Sequence, residues 1–197
     1  MQKIKKLTIF IILITFLVGC NNDEIIDNNN SNESSNEERY AELIESREAL
    51  EILAEGVEAL VYDIETGITY NVRRVIGGYN TLADVETLTL EDTNNLLETA
   101  GGQWNVRRRA VIVYIDDYRI AASIAPFPHS GREDYPFGEI VDNRNGATGT
   151  GINLNSIQGN GKVGVVDIFF WNSLVPGINR VDERHQEAVL RAYEFQR

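Results

Sequence analysis

AVIVYIDDYRIAASI, residues 110–124, is the strongest strand pattern in the chain. One apolar run ends at Asp116-Asp117 and a second follows at once, which predicts a β-hairpin with its turn at the two aspartates. The first strand of this hairpin is almost entirely apolar. We therefore expect it in the middle of a sheet, covered on both faces.

Two more segments of strand pattern complete the predicted sheet. Residues 57–64 and 68–75 alternate apolar and polar side chains around Glu65-Thr66-Gly67, which predicts another hairpin. Residues 163–171 form a further apolar run that predicts a buried strand.

Helices are predicted on either side of these strands. Ser35 to Glu38 resemble a capping box that opens a first helix ending near Gly56. Thr89-Leu90-Glu91-Asp92 caps a second, and Asp182 is the expected N-cap of a last helix that runs to Phe195. Hairpins with helices at both ends predict an α+β fold with a mainly antiparallel sheet.

The N-terminus has the pattern of a bacterial lipoprotein signal. Three lysines precede an apolar run at 7–18, which ends in Leu17-Val18-Gly19-Cys20 at the only cysteine. As a helix this run spans about 18 Å, well short of a hydrocarbon core of roughly 30 Å. We expect residues 1–19 to be a removed signal peptide and Cys20 to be lipidated. The protein is then anchored by its lipid to the bacterial cell membrane, facing outside the cytoplasm.

Composition limits the partners of the mature chain. The formal net charge is −12, and removal of the signal lysines makes the chain more acidic still. Nucleic acid is excluded as a partner because its phosphates need a basic surface. With a single cysteine, the chain has no disulfide framework and no CxxC metal motif.

The remaining organisation is a tether, one domain and one long loop. Residues 20–35 are mostly Asn, Asp, Ser and Glu, which predicts a disordered tether. Residues 36–197 are long enough for a single extracytoplasmic domain. Residues 126–162 are rich in Gly and Pro and lack hydrophobic periodicity, and irregular segments of this length are usually functional or mobile. The candidate binding residues in this loop are His129, Arg132, Asp142, Asn143 and Arg144.

Several short blocks of the chain resemble a domain found in bacterial cell-surface and wall-associated proteins. The blocks are Ala83-Asp84-Val85-Glu86, Asp92-Thr93, Trp104, Arg107-Arg108-Arg109, Ala121-Ala122-Ser123, Pro128-His129, Asp142-Asn143-Arg144, Asn160-Gly161, Gly164, Asp167, Asn172-Ser173, Val181-Asp182 and His185-Gln186. The match covers about residues 57–192. The resemblance implies the divalent-metal site of a wall peptidase, with several further histidines.

This chain departs from that pattern where the metal ligands are expected. Leu82, Val165, Phe169 and Pro176 occupy positions at which the family tends to have histidine. The best remaining ligand set is His129, Asp167 and His185, with Asp84 or Asp142 as an additional ligand. A catalytic zinc site needs three protein ligands and an open position.

Each candidate also has a structural interpretation. His129 can hydrogen-bond the loop backbone, and His185 can bond a neighbouring carbonyl from the first turn of the last helix. A carboxylate within an apolar strand needs a partner, so we predict that one of Arg107, Arg108 or Arg109 pairs with Asp167. Residues 142–146 are typical of a tight turn with its apex at Asn145-Gly146.

Two function classes remain at this point. The first is a lipid-anchored, non-catalytic binding module of the cell envelope, which binds a wall component or an envelope protein and needs no cofactor. The second is a divergent wall peptidase that depends on zinc or another divalent metal, with His129 and Asp142 as catalytic residues. The apolar replacements favour the first class. The second is favoured by the retained loop glycines and by the retained His129, Asp142, Asp167 and His185.

Overall fold

The computed structural model describes residues 40–75 and 81–196. The elements in chain order are α1 (Ser46–Ile52), β1 (Glu58–Asp63), β2 (Thr69–Arg74), β3 (Ala83–Thr87), α2 (Leu90–Thr99), β4 (Arg109–Ile115), β5 (Tyr118–His129), β6 (Ile140–Val141), β7 (Gly151–Ile152), β8 (Val165–Phe169), β9 (Leu174–Val175), β10 (Arg180–Val181) and α3 (Glu183–Tyr193). The predicted signal peptide, Cys20 and the tether lie outside the described residues. No helix within the described ranges has the length and apolar character needed to cross a membrane.

Six strands close into a barrel in the order β1-β2-β3-β8-β5-β4. Every neighbouring pair in the barrel is antiparallel. The prediction of an α+β fold with a mainly antiparallel sheet is therefore confirmed. Closure itself was not predicted, because it depends on strand pairs that are far apart in the sequence.

Both predicted hairpins are present. β1 pairs with β2, and β4 pairs with β5 from Arg109 opposite Ile124 to Ile115 opposite Tyr118. Asp116 sits in the turn with a φ of 48°, a left-handed conformation that Asp tolerates better than most residues.

β4 is covered on both faces, as its apolar sequence predicts. Val111 and Val113 belong to the core inside the barrel. Ala110 and Ile112 face outward and pack against the apolar face of α3, which includes Ala188. The strand lies between β1 and β5, so neither its faces nor its edges are exposed.

β3 was not predicted as a strand, although all five of its residues are buried. It pairs with β2 on one side and β8 on the other and so completes the barrel. Ala83 and Val85 face the core, and Asp84 and Glu86 alternate with them. Two of the five residues are acidic, so the sequence of β3 lacks the apolar pattern of a strand that is covered on both faces.

The helix caps agree with the sequence at two of the three helices. Thr89 and Asp92 form the predicted capping box of α2, and Asp182 caps α3 by accepting hydrogen bonds from the backbone of Arg184 and His185. The first helix begins at Ser46, later than predicted. Residues just before it are extended instead, because Glu42 exchanges backbone hydrogen bonds of 2.6 and 2.8 Å with the β5 strand. The predicted cap at Ser35 to Glu38 lies outside the described residues.

Candidate functional site

Two aspartates lie side by side on the outer surface of the barrel. Asp84 of β3 is directly opposite Asp167 of β8 in the strand register. Their neighbours Val85, Val166 and Ile168 point into the barrel core. Because successive side chains of a strand alternate between faces, both carboxyl groups point outward.

An irregularity in β5 brings a histidine to the same place. Ala125 is opposite Asp167 and His129 is opposite Val165, so four steps along β5 match two along β8. Bulges of this kind redirect side chains near functional sites. The His129 Nε2 atom lies 3.0 Å from Asp167 Oδ1, and its Nδ1 atom lies 2.9 Å from the Ser130 hydroxyl.

The resulting Asp84–His129–Asp167 cluster has unequal access to solvent. Asp84 is 5% exposed, whereas the side chains of His129 and Asp167 are 22% and 26% exposed. One ligand atom from each of the three residues lies within 4.8 Å of the others. The cluster is thus buried at one end and open to a small ion or molecule at the other.

The surroundings of the cluster shift the pKa values of its three members in different directions. Burial and the adjacent charge of Asp167 raise the pKa of Asp84 to about 8. Burial also opposes ionisation of Asp167, but the hydrogen bond and charge of His129 hold the pKa of Asp167 below its usual value. Burial also opposes the positive charge of His129. The hydrogen bond and the negative charge of Asp167 have the larger effect, so the pKa of His129 is raised. The cluster therefore favours a protonated Asp84 beside an ionised Asp167, and the same charge of Asp167 favours the protonated form of His129.

This cluster differs from the ligand set predicted from the sequence. His129 and Asp167 are brought together as predicted, and Asp84 is the third member. His185 is not part of the cluster that the described residues form.

His185 has a structural environment instead. Its ring stacks on Phe169 with 3.6 Å between ring centroids, and its Nδ1 atom lies 2.9 Å from the buried Ser123 hydroxyl. Burial lowers the pKa of His185 to about 4, so the ring is neutral at neutral pH. The sequence interpretation of His185 as structural agrees with these contacts, although its partner is a hydroxyl group and not a carbonyl.

The predicted ion pair between Asp167 and an arginine of the 107–109 block is wrong. Arg107 pairs with Glu65, Arg108 with Asp182, and Arg109 with Asp63. These arginines enter or begin β4, on the other side of β5 from β8. The partners of Asp167 come from β3 and the end of β5 instead.

The other candidate binding residues hold the long loop together. Arg132 contacts Asp134 and reaches Asp142 Oδ1 at 3.4 Å. Arg144 donates to the backbone of Ile152 at 3.3 Å, across the small β6–β7 sheet. Asp142 is not in the cluster with His129.

The predicted tight turn of the loop is present. The Ala147 backbone N–H donates to the Arg144 carbonyl at 3.3 Å across Asn145-Gly146, and Asn143 has a φ of 48°. These contacts give the loop residues a structural role, and their predicted binding role stays a prediction.

Glu86 and Lys162 are buried beside the cluster and were not predicted as site residues. Glu86 accepts hydrogen bonds from the backbone of Ser156 and Ile157 at 2.8 and 3.1 Å. Lys162 donates to the Gly164 carbonyl, and burial lowers its pKa to about 8. Through these bonds Glu86 attaches the end of the long loop to β3. The sequence signal for Glu86 is its alternation with apolar Val85 in β3.

Gly164 controls the position of His129. It has a φ of +86°, and a Cβ atom added there would lie 2.1 Å from the His129 carbonyl oxygen. We expect Gly164→Ala to lower the free energy of unfolding by roughly 2–4 kcal/mol, since strain and displaced backbone add together. Urea unfolding at neutral pH measures this effect.

Gly159→Ala is the matched control for that substitution. Gly159 has a φ of +77°, but nothing lies within 4 Å of an added Cβ atom. We expect a loss of only about 1 kcal/mol from backbone strain. An equal loss in the two variants would show that Gly164 does not support His129 by close packing.

The fold and site together define a six-stranded antiparallel barrel that carries an Asp–His–Asp cluster on its outer surface. No protein-family model, curated protein or solved structure matches the chain. The resemblance to wall-associated proteins therefore remains a prediction from the motifs.

Proposed function

We propose that this chain is a lipid-anchored binding module of the bacterial cell envelope whose site, the Asp84–His129–Asp167 cluster, takes a divalent metal ion. The observation that carries the proposal is the convergence of three ligand types from β3, β5 and β8 within 4.8 Å. The anchor is the lipid predicted on Cys20, and the domain faces outside the cytoplasm.

The donor set suits such an ion. Zinc binds the imidazole nitrogen of histidine and the carboxylate oxygens of aspartate, and the cluster offers both. The Ser130 hydroxyl lies 2.9 Å from His129 Nδ1, where it can accept a hydrogen bond from Nδ1–H and so favour the tautomer whose Nε2 is free to bind metal. Asp84, His129 and Asp167 would hold the ion.

Charge balance also favours exchange of protons for a metal. Burial and the charge of Asp167 raise the pKa of Asp84 to about 8, and Asp167 also raises the pKa of His129, so both groups hold their protons more strongly than the free side chains do. A divalent cation that replaces these two protons leaves the charge of the partly buried cluster unchanged. We therefore expect metal binding at neutral pH to release protons, that of Asp84 above all, and to strengthen as the pH rises towards 8.

The test is zinc stoichiometry of the full-length protein purified without a metal-affinity tag. We expect about one tightly held zinc ion at pH 8, measured by native mass spectrometry, and its loss in His129→Ala and Asp167→Asn. Proton release on zinc addition, followed in weak buffer, gives an independent measurement. The absence of bound zinc in the unmodified protein at pH 8 would contradict the proposal.

Two control variants separate this cluster from the ligand set expected from the sequence. Asp142→Asn removes an exposed loop carboxylate, and His185→Gln removes the buried ring that bonds Ser123. We expect both variants to retain the metal. Loss of zinc in His185→Gln with an unchanged melting temperature would assign His185 to the ligand set.

A second candidate function is metal-dependent hydrolysis of cell-wall material. The partial exposure of His129 and Asp167 favours it, because it leaves room for water or substrate beside the ion. A bound divalent metal would supply polarisation of a carbonyl and activation of water. Release of soluble fragments from isolated wall by the zinc-loaded protein, lost in Asp167→Asn, would establish this function over binding alone.

A further inference from the structure

A second site lies beside α1 and shares no residue with the Asp84–His129–Asp167 cluster. It is a cleft of about 580 Å³, a volume that is typical of small-molecule sites. Its lining includes Ser46, Leu50 and Glu51 of α1, Arg74 at the end of β2, and Asn172 and Leu174 from the segment that enters β9. We call it the α1 cleft.

Arg74 places a buried positive charge in the wall of the α1 cleft. Its residue is 7% exposed. Its Nη1 atom donates to the backbone carbonyls of Leu50 and Leu53 at 2.8 and 2.9 Å, which holds the guanidinium at the C-terminal end of α1. The Nε atom is buried without an acceptor, and no residue that the structure describes accepts a hydrogen bond from Nη2. One edge of the guanidinium, formed by Nε and Nη2, is therefore not used by the protein.

Arg74 has no carboxylate partner within the part of the chain that the structure describes. Glu51, which also lines the cleft, lies 3.9 Å from Arg47 and forms its ion pair there. Burial lowers the pKa of Arg74 more than the charges of Glu55 and Asp84 raise it. These two acids therefore do not offset the cost of burying the guanidinium, and a buried charge without a partner is unfavourable. An anion in the cleft would supply the missing partner.

The lining of the α1 cleft indicates which anion it fits. Its charged residues are Arg47, Arg74 and Glu51, an excess of one positive charge that matches a monoanion. The apolar part of the lining comes from Leu50, which is buried, and Leu174, which is half-buried. A carboxylate carries one negative charge and pairs with a guanidinium edge through two parallel N–H···O bonds. A carboxylate joined to an apolar group therefore matches both parts of the lining.

We propose that the α1 cleft binds a small carboxylate that carries an apolar group, from the C-terminus of a short peptide or from a free organic acid. The carboxylate pairs with the Nε–Nη2 edge of Arg74, and the apolar group packs against Leu50 and Leu174. This site goes beyond the metal-binding function proposed above. It does not involve the Asp84–His129–Asp167 cluster and does not require a metal.

The experiment uses the full-length protein in mild detergent with a chelator, and acetyl-alanyl-leucine as the probe. Titration of the probe, followed by chemical-shift changes in NMR spectra, gives its dissociation constant. We expect Arg74→Gln to bind the probe at least about tenfold more weakly, because the variant lacks the charge and the paired N–H groups. The melting temperature of Arg74→Gln is measured in parallel, since the variant also loses the hydrogen bonds to Leu50 and Leu53.

A gain of affinity provides a result that misfolding cannot imitate. Glu51→Gln removes the carboxylate that lines the cleft, on a side chain that is 73% exposed. We expect this variant to bind the probe about threefold more tightly, the size of effect that an exposed charge has. Glu48→Gln is the matched control, because Glu48 is an exposed residue of α1 that does not line the cleft, and we expect it to bind like the unmodified protein. Equal affinities of these two variants would contradict the proposal.

Two further probes test the chemistry of the ligand. Acetyl-alanyl-leucinamide has the same shape without the charge, and binding equal to that of the acid would overturn the assignment to a carboxylate. The free acid 4-methylpentanoate has the carboxylate and the apolar group without a peptide bond. Tighter binding of the peptide would support a peptide C-terminus, and equal binding of the two acids would support a free organic acid. Failure of the unmodified protein to bind either acid at millimolar concentration would overturn the proposal.

Discussion

Replacement of Asp63 by alanine is expected to lower the free energy of unfolding by about 3–5 kcal/mol, because it leaves a buried arginine without its counterion. Asp63 and Arg109 join β1 to the start of β4 through two hydrogen bonds of 2.5 and 2.6 Å. The two side chains are 0% and 4% exposed. Asp63 also accepts hydrogen bonds from the backbone of Glu65 and Thr66 in the first hairpin turn. Urea unfolding at neutral pH measures the loss.

Glu65→Ala is the matched control for Asp63→Ala. Glu65 also reaches Arg109, at 3.4 Å, but its side chain is half-buried and solvent screens the pair. We expect a change below about 1 kcal/mol. A similar loss in both variants would show that the buried pair contributes no more than its exposed neighbour.

Asp84→Asn is expected to make the metal-free protein more stable at alkaline pH. The pKa of Asp84 in the folded protein is about 8, above its usual 3.8. Between these two values the folded state binds a proton that the unfolded state has released. The contribution of Asp84 to stability is therefore complete at low pH and is lost as the pH rises through the folded pKa. His129, whose pKa is also raised, contributes with the same sign above its usual 6.5.

Asparagine imitates the protonated carboxyl group, so the variant avoids this loss. We expect Asp84→Asn to match the unmodified protein near pH 4 and to exceed it by at least about 2 kcal/mol at pH 8.5. The measurement is denaturant unfolding with chelator from pH 4 to 9. Asp142→Asn, at an exposed loop position, is expected to leave the pH profile unchanged. Parallel profiles for Asp84→Asn and the unmodified protein would refute the assignment of a protonated Asp84.

Added zinc should make the unmodified protein more stable than Asp84→Asn, which reverses their order of stability without metal. A metal that binds only the folded state stabilises it by mass action. The unmodified protein is expected to gain stability with zinc at pH 8.5, whereas Asp84→Asn lacks one proposed ligand and gains less. Denaturant unfolding with and without zinc tests both roles of Asp84 in one series.

Elements whose signals are local were predictable from the sequence. Residues 110–124 contain both the strand pattern and the turn of the β4–β5 hairpin, and Thr89 and Asp182 cap helices through neighbours two or three positions away. The first helix was predicted too early. At residues 40–45 helical spacing competes with backbone pairing to β5, and that pairing is not visible in the segment itself.

The candidate site was predictable only in part. His129 and Asp167 could be predicted as candidate ligands because histidine and aspartate are residue types that bind metals. Their pairing with Asp84, and not with His185 or an arginine, depends on the strand order β3-β8-β5 and on the irregularity in β5. None of these relations is encoded by spacing along the chain.

By itself, the sequence determined the hairpins, two helix caps, the α+β class and the acidic balance of the chain, because each of these depends on composition or on residues close in sequence. Barrel closure, the position of β3 and the Asp84–His129–Asp167 cluster depend on the tertiary structure. Asp84 and Asp167 are 83 residues apart in the sequence and directly opposite in the register. Contacts of that kind form when a sheet closes on itself, and the same closure buries Asp84 beside Asp167.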